Sequence, residues 1–323
     1  MDFHLSEDQQ ALVDALQAIL GDFAELPQSE RLNYAYFDPR LQEALDGNGF
    51  LDAATSMGPL EAALVICEAA KCVTSVETIG RGLVAPMLGL GGDVAGPVAL
   101  VDARDLSRAI RNLPLARTVL VDCGDDVVVI DVTDGMVAPV SSIFAYHYGR
   151  FVEQPDLAAG RRLVGQGALM RQWWRVGLAA EIAGAADAAI SFTVDYVKQR
   201  HVLGRPVGSY QSVRHRLTHR YGHAKSGYYL AMRAAWSGLP IDADFAACHA
   251  QSGIRDLLFD LHQFNGGMGV TTEYSLHFWT YRIRALQAEA GGLDNVALDI
   301  AERRWGRKAD AIGAAPAMEA MQS

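Results

Sequence analysis

The segment that most narrows the fold is Met170 to Lys198, whose centre, LAAEIAGAADAAI, is packed with alanine and glycine. Such a run reads as one long helix, and small residues at its centre predict neighbouring helices that approach it closely. The helix runs into Arg200, breaks at Gly204-Arg205-Pro206 and restarts near Ser209, within DYVKQRHVLGRPVGSYQ from Asp195 to Gln211. A helix that ends on Arg, turns on Gly and Pro and restarts behind Ser gathers a positive charge and fixed donors in one place. That suits a phosphate. A second stretch, QFNGGMGVTTEY from Gln263 to Tyr274, offers backbone alone: Gly266, Gly267 and Gly269 let main-chain N–H groups approach a ligand. Together the two predict a site for a dinucleotide or other pyrophosphate ligand. Each has a plainer reading by itself, Arg200 as a cation at a helix C-terminus and Gly266-Gly267 as a helix stop.

The rest of the chain supplies a frame. Leu5-Ser6-Glu7-Asp8-Gln9 carries a capping signal ahead of an amphipathic helix reaching about Phe23. Residues 39–49 read as a short helix that starts on Pro39, and two more are expected from Pro59 to about Val73 and from Ser75 to Leu90. At Gly91-Gly92 the character changes to short β-branched runs, with about five strands expected in about sixty residues and a hairpin connection at Asp122-Cys123-Gly124-Asp125. This β module ends near Gly160. Past the long helix, Ser212–Trp236, Phe245–Phe264, Ser275–Gln287 and Leu293–Arg304 read as further helices that complete a bundle. The expected fold is mainly α with a small β module. Its parts are an N-terminal helical domain (1–92), a truncated middle β domain (93–160), a C-terminal four-helix bundle with the ligand-binding segments (161–308) and a tail (309–323).

Charge and composition remove other classes. A formal net charge of −10 disfavours nucleic acid or an anionic membrane as the main partner. No apolar run is expected to span a membrane, and the acidic start MDFHLSEDQQ does not read as a signal peptide. Cys67, Cys72, Cys123 and Cys248 lack CxxC spacing and read as reduced thiols of a cytoplasmic protein. His215, His219 and His223 stand at i, i+4 and i+8, but Arg214, Arg216 and Arg220 interleave with them and no cysteine or carboxylate set joins them. No metal is expected there. The basic stretch reads better as a face for a partner's acids or for phosphate. Trp173, Trp174, Tyr228 and Tyr229 read as core or interface aromatics, and Glu289 as a solvated loop acid.

Helices, a small β module, then a bundle holding RxxxGxxxxxxQ and QxxGGxG is a layout that resembles the acyl-CoA dehydrogenase family over nearly the whole chain. MDFHLSEDQQALVDAL is similar to that family's opening, QRHVLGRPVGSYQSVRHRL to its helix–turn–helix segment and QFNGGMGVTTEYSLHFWTYRIRALQ to its penultimate segment. The resemblance implies an oligomer with FAD across a subunit interface. It assigns Arg200 to the FAD pyrophosphate and Gln211 to support of the same nucleotide. Gln263 with Gly266 and Gly267 would hold the adenosine half from a neighbouring subunit. Leu203 stands where the family usually places an aromatic residue before the turn glycine.

The departures from that pattern point further. The Thr/Ser-Glu-Pro-xx-Gly-Ser-Asp and Trp-Ile-Thr segments that wall the flavin in the family are missing. Removing an α-proton from an acyl thioester as hydride leaves the β-carbon requires a carboxylate in a dry site. The family's two positions for that acid fall here on Ala290 and on Trp174, with Glu289 one residue early and Glu181 about two helical turns along, expected to be out of reach. This combination resembles the shortened subunits of actinobacterial steroid-type acyl-CoA dehydrogenases, which pair with a full-length subunit as α2β2 heterotetramers. The resemblance therefore implies a subunit that helps bind FAD for α,β-dehydrogenation of a bulky, steroid-derived acyl-CoA, the partner supplying the catalytic Glu. Two alternatives stay open: a scaffold with little FAD contact, and a self-sufficient homomer using Glu289.

Overall fold

The computed structural model describes residues 4–306, so the expected tail at 309–323 lies outside the described residues. The first helix, α1 (Glu7–Gly21), begins on the capping box read from the sequence. Ser6 accepts from the Gln9 backbone N–H and the Gln9 side chain accepts in return. Helix α2 (Pro39–Gly47) starts on Pro39 behind Asp38, whose carboxylate accepts from the Arg40 N–H. Short α3 (Ala53–Ser56) and α4 (Pro59–Ala69) follow. The expected helix from Ser75 is shorter than its composition suggests: a π-helical turn (Gly80–Val84) runs into α5 (Ala85–Met87). Glu77 marks the start of that turn, its carboxylate accepting from the N–H groups of Gly80 and Arg81 and from that of Val98 in β1.

The middle module holds seven strands where five were expected. Strands β1 (Val98–Asp102), β3 (Thr118–Asp122), β4 (Val127–Asp131) and β7 (Arg161–Leu163) form one sheet in the order β1-β3-β4-β7, with β1 parallel to β3. A second sheet has the order β2-β6-β5, from β2 (Ile110–Arg111), β5 (Val137–Val140) and β6 (Tyr148–Phe151). The two extra pieces are two and three residues long, too short to leave a periodic signal. The expected hairpin connection does join β3 to β4 as an antiparallel pair. Alternate residues of the four-stranded sheet serve two cores. Ala99, Val101, Val119, Val121, Val128 and Ile130 build the module's own, while Val98, Leu120, Val127 and Val129 join the main helical core. Both faces are buried, so the strands read as continuous rather than alternating apolar runs.

At the centre of the bundle lies α6 (Gly167–Gln199), with nearly its whole middle buried. It is long and apolar enough to cross a membrane, contrary to the sequence expectation, but 78% of its most apolar window is buried inside the protein, as in a core helix. Its glycines mark close approaches. A Cβ at Gly184 would collide with the Cys67 carbonyl of α4, and one at Gly177 would stand 2.6 Å from Ile79. Beyond a small hairpin of β8 (His201–Val202) and β9 (Arg205–Pro206) come α7 (Gln211–Ser237), α8 (Pro240–Ser252) and α9 (Ile254–Asn265). The predicted Phe245–Phe264 helix is thus two helices, broken at Gly253, where a Cβ would drive into the His223 ring. Helices α10 (Leu276–Leu286) and α11 (Gly292–Trp305) close the bundle. Phe278 of α10 is the largest of the fully buried side chains; truncating such a residue to Ala costs about 3–5 kcal/mol.

Candidate functional site

The two segments singled out from the sequence meet at one end of α6. Arg200 caps that helix in an extended conformation, its N–H donating to the Tyr196 carbonyl. The chain then turns back through Leu203 (φ 52°) and Gly204 (φ 80°), both left-handed, the combination that closes a two-residue hairpin. Leu203 points away from the protein at 90% exposure, and Val207 donates to the Arg200 carbonyl at 2.7 Å to lock the turn. Ser209 is not a free donor, as its hydroxyl donates to the Pro206 carbonyl at 2.7 Å. Tyr210 braces the hairpin by donating to the Val202 carbonyl at 2.9 Å, with the Arg205 guanidinium 3.9 Å over its ring.

The glycine segment is bound to the same helix one to two turns earlier. Asn265, the last residue of α9, is fully buried and donates to Thr193 Oγ1 of α6 at 2.8 Å. Just past the glycines, Tyr274 packs on Phe192 (4.6 Å between centroids) and on Tyr196 (5.8 Å). Thr193 and Arg200 are seven residues apart, about 10 Å along a helix axis. Gly266 (φ 57°) redirects the chain into a 3-10 turn, and Cβ atoms at Gly266 and Gly267 would meet nothing within 4 Å. Gly269 is the packed one: a Cβ there would stand 2.9 Å from that of Asn265. Arg200, Gln211, Gln263, Gly266 and Gly267 are all exposed. Among the described residues, no ion pair or side-chain hydrogen bond engages Arg200, Gln211 or Gln263. An exposed cation without a carboxylate suits a phosphate, and glycines that leave room above the backbone suit the close approach of a second part of a dinucleotide.

The basic face of α7 divides. Arg216 and Arg220 turn onto the buried Asp260 of α9, so the acid they were expected to find on a partner is in this same chain. His215 and His219 are exposed, whereas His223 points inward and stacks on His249 at 4.1 Å. Burial, with His249 second, pulls the His223 pKa below its ordinary value. Trp173 and Trp174 are core residues as expected, while Tyr229 is largely exposed.

Glu289 is not the solvated loop acid that its position suggested. Arg111 of β2 forks onto it, Nε to Oε1 at 2.7 Å and Nη2 to Oε2 at 2.9 Å. The same guanidinium donates through Nη1 to Glu181 of α6 at 3.1 Å, so the two acids expected to be out of common reach share one arginine. Tyr146 donates to Glu181 at 2.6 Å and lies with its ring 4.7 Å beneath Arg111. Burial raises the Glu289 pKa, opposed by the adjacent Arg111. The loop itself is pinned: Gln251 donates to the carbonyls of Leu286 and Glu289, both at 3.0 Å. Ala290 (φ 52°), Gly291 (φ 97°) and Gly292 (φ 72°) then turn left-handed in succession. Arg111 carried no sequence signal beyond one charged residue in a short apolar run.

Residues 166–306 match the family profile described as Acyl-CoA dehydrogenase, C-terminal domain, which begins one residue before α6 and ends with α11. The chain is 28% identical over 229 residues to the acyl-CoA dehydrogenase IpdE2 of Mycobacterium tuberculosis, covering 67% of this chain and 71% of that protein. Its fold superposes on one chain of the ChsE4–ChsE5 complex of Mycobacterium tuberculosis with a TM-score of 0.76 and 20% identity, over 98% of this chain and 100% of the other. It also superposes on the G363A variant of the Tcur3481–Tcur3483 steroid ACAD with a TM-score of 0.74 and 18% identity, over 95% of this chain and 99% of the other.

Proposed function

With a C-terminal region matching the acyl-CoA dehydrogenase C-terminal domain on a chain that has that family's fold, we propose that the protein is one subunit of an FAD-dependent acyl-CoA dehydrogenase. Its partner is a full-length acyl-CoA dehydrogenase subunit in an α2β2 heterotetramer, in the cytoplasm, and the substrate is a bulky, steroid-derived acyl-CoA. The likeness to the ChsE4–ChsE5 complex and to a steroid ACAD supports the heteromer and the substrate class.

The observation that carries this reading is Arg200, exposed at the end of α6 and, among the described residues, without an ion pair or side-chain hydrogen bond, together with the open glycines of the segment anchored on the same helix. Arg200 would take the pyrophosphate, with Gln211 on the same nucleotide. Gln263, Gly266 and Gly267 would present backbone and amide groups to the adenosine half of the FAD held by a neighbouring subunit. When bound, the flavin accepts the hydride that leaves the β-carbon of the thioester. The α-proton goes to the partner's glutamate, because Ala290 and Trp174 stand at this chain's two places for an acid.

The test is to purify the chain alone and together with a full-length relative encoded beside it. We expect colourless protein alone, and one flavin per heterodimer with thioester oxidation when the two are together. Yellow, active protein from this chain alone refutes the proposal. Full flavin and activity surviving Arg200→Ala in the complex would instead make the chain a scaffold.

A further inference from the structure

The cluster around Arg111 lies where the β module meets the bundle, and its three anchors come from three separate elements. Arg111 belongs to β2, Glu181 to the middle of α6 and Glu289 to the loop between α10 and α11. The side chains are 10%, 7% and 17% exposed, so all three charges are withdrawn from water. Five N–H groups and a planar fork allow one guanidinium to serve two carboxylates, which a lysine could not do with this geometry. The Arg111 fork takes both oxygens of Glu289, and Tyr146 donates to Glu181 from the other side.

We propose that Arg111 closes this chain's own cleft: it spans from β2 to Glu181 and Glu289, and holds Glu289 as its counter-ion instead of leaving it to accept a substrate proton. The inference deepens the proposed function and rests on it for the location of the acyl-CoA cleft. A carboxylate whose two oxygens both receive guanidinium N–H groups has one lone pair on each oxygen engaged and its charge compensated, which makes it a weaker base. An arginine lying across the junction also fills space that a thioester between the module and the bundle would need. The sequence positions therefore lack an acid, and the neighbouring acid is neutralised.

Two arms test this, and only the second depends on the partner. The charged and titratable groups around Glu289 are Arg111, Glu181, Tyr146 and Tyr148, with Glu77 beyond Arg111, Arg282 behind Tyr146, and Arg175 against the following residues of the loop, paired with Asp244 and Asp299. In Arg111→Met the two buried carboxylates lose their cation, so folding requires proton uptake. Each pH unit above the unfolded carboxyl value over which a folded carboxyl keeps its proton lowers the folding constant about tenfold. Urea unfolding of the full chain is expected to show Arg111→Met losing stability steadily from pH 5 to pH 8. Arg111→Met/Glu289→Gln, with one acid fewer, should be distinctly flatter. Parallel pH profiles for the wild type and Arg111→Met overturn the proposal.

The second arm measures octanoyl-CoA oxidation by the heteromer carrying Glu289→Gln. The expected rate is within about twofold of wild type, since only a group outside the chemistry can be lost so cheaply. A hundredfold or greater loss makes Glu289 the base and overturns the proposal. If the wild-type heteromer neither binds flavin nor turns over the probe, the proposed function fails, and the pH arm still decides the role of Arg111.

Discussion

The side-chain amide of Gln251 on α8 donates to the main-chain carbonyl of Glu289 at 3.0 Å. The same nitrogen also serves Leu286, so one buried amide ends α10 and sets the direction of the loop that carries Glu289. Without it two carbonyls next to the core would face apolar surroundings. Gln251→Leu is expected to cost about 1–3 kcal/mol, the penalty for unpaired buried polar groups. Hydrogen exchange should locate that loss at residues 286–292, and unchanged protection there would show the loop held by other contacts.

Arg200 is exposed and, among the described residues, unpartnered, so its removal should hardly touch the fold, within about 0.5 kcal/mol. A charge-assisted hydrogen bond to phosphate is worth about 1.5–3 kcal/mol, or roughly a tenfold to hundredfold change in Kd. Fluorescence titration of FAD into the flavin-free heteromer is expected to show weakening of that order for Arg200→Ala. Equal affinities would remove the residue from the nucleotide site.

The two kinds of glycine in the second segment should respond in opposite ways. Gly267 has open space where a side chain would go, so Gly267→Ala should leave the melting temperature in place while reducing flavin content of the heteromer. Gly269 is pressed against Asn265 and the His262 carbonyl, so Gly269→Ala should lower the melting temperature itself. A melting curve and a flavin absorbance for each variant separate the cases.

Acid should weaken the fold through three half-buried histidines. Burial lowers the pKa of His147, of His223 and of His262 below the ordinary 6.5. Each then binds its proton more readily unfolded than folded. The stability this gives is fully present above 6.5 and is lost as the pH falls through that value toward the folded ones. Glu77 and Glu289, both raised by burial, act in the opposite sense and lose stability as the pH climbs past 4.5. His147 Nδ1 is buried with no partner among the described residues, so His147→Leu removes a titrating group and an orphaned nitrogen together. The gap between urea midpoints at pH 5 and pH 7 is expected to narrow in this variant, and an unchanged gap would assign the acid sensitivity elsewhere.

What could be read from the chain follows the reach of local signals. The Ser6–Gln9 capping box, the alanine-rich α6, the turn after Arg200 and the break at Gly266 all depend on neighbours a few residues away, and all stand in the structure. The break at Gly253 was hidden because helical periodicity continues across it and the cause, His223, lies on another helix. The fork of Arg111 onto Glu181 and Glu289 joins residues 70 and 178 positions apart. No spacing rule carries such a relation, so Glu289 looked solvated and Glu181 remote. Arg216 and Arg220 were misread for the same reason, their acid Asp260 being about forty positions away.

Strands β1, β3 and β4 are packed on both faces, while Arg161 and Arg162 of the edge strand β7 face water. Every second side chain of β1, β3 and β4 needs the helices just as the intervening ones need the module's own interior. Cut away at residues 93–160, it would expose Val98, Leu120, Val127 and Val129 as a bare oily wall. Such a fragment should stick to itself rather than fold. A shortened version of this module can persist through sequence change only while its helical neighbours change with it.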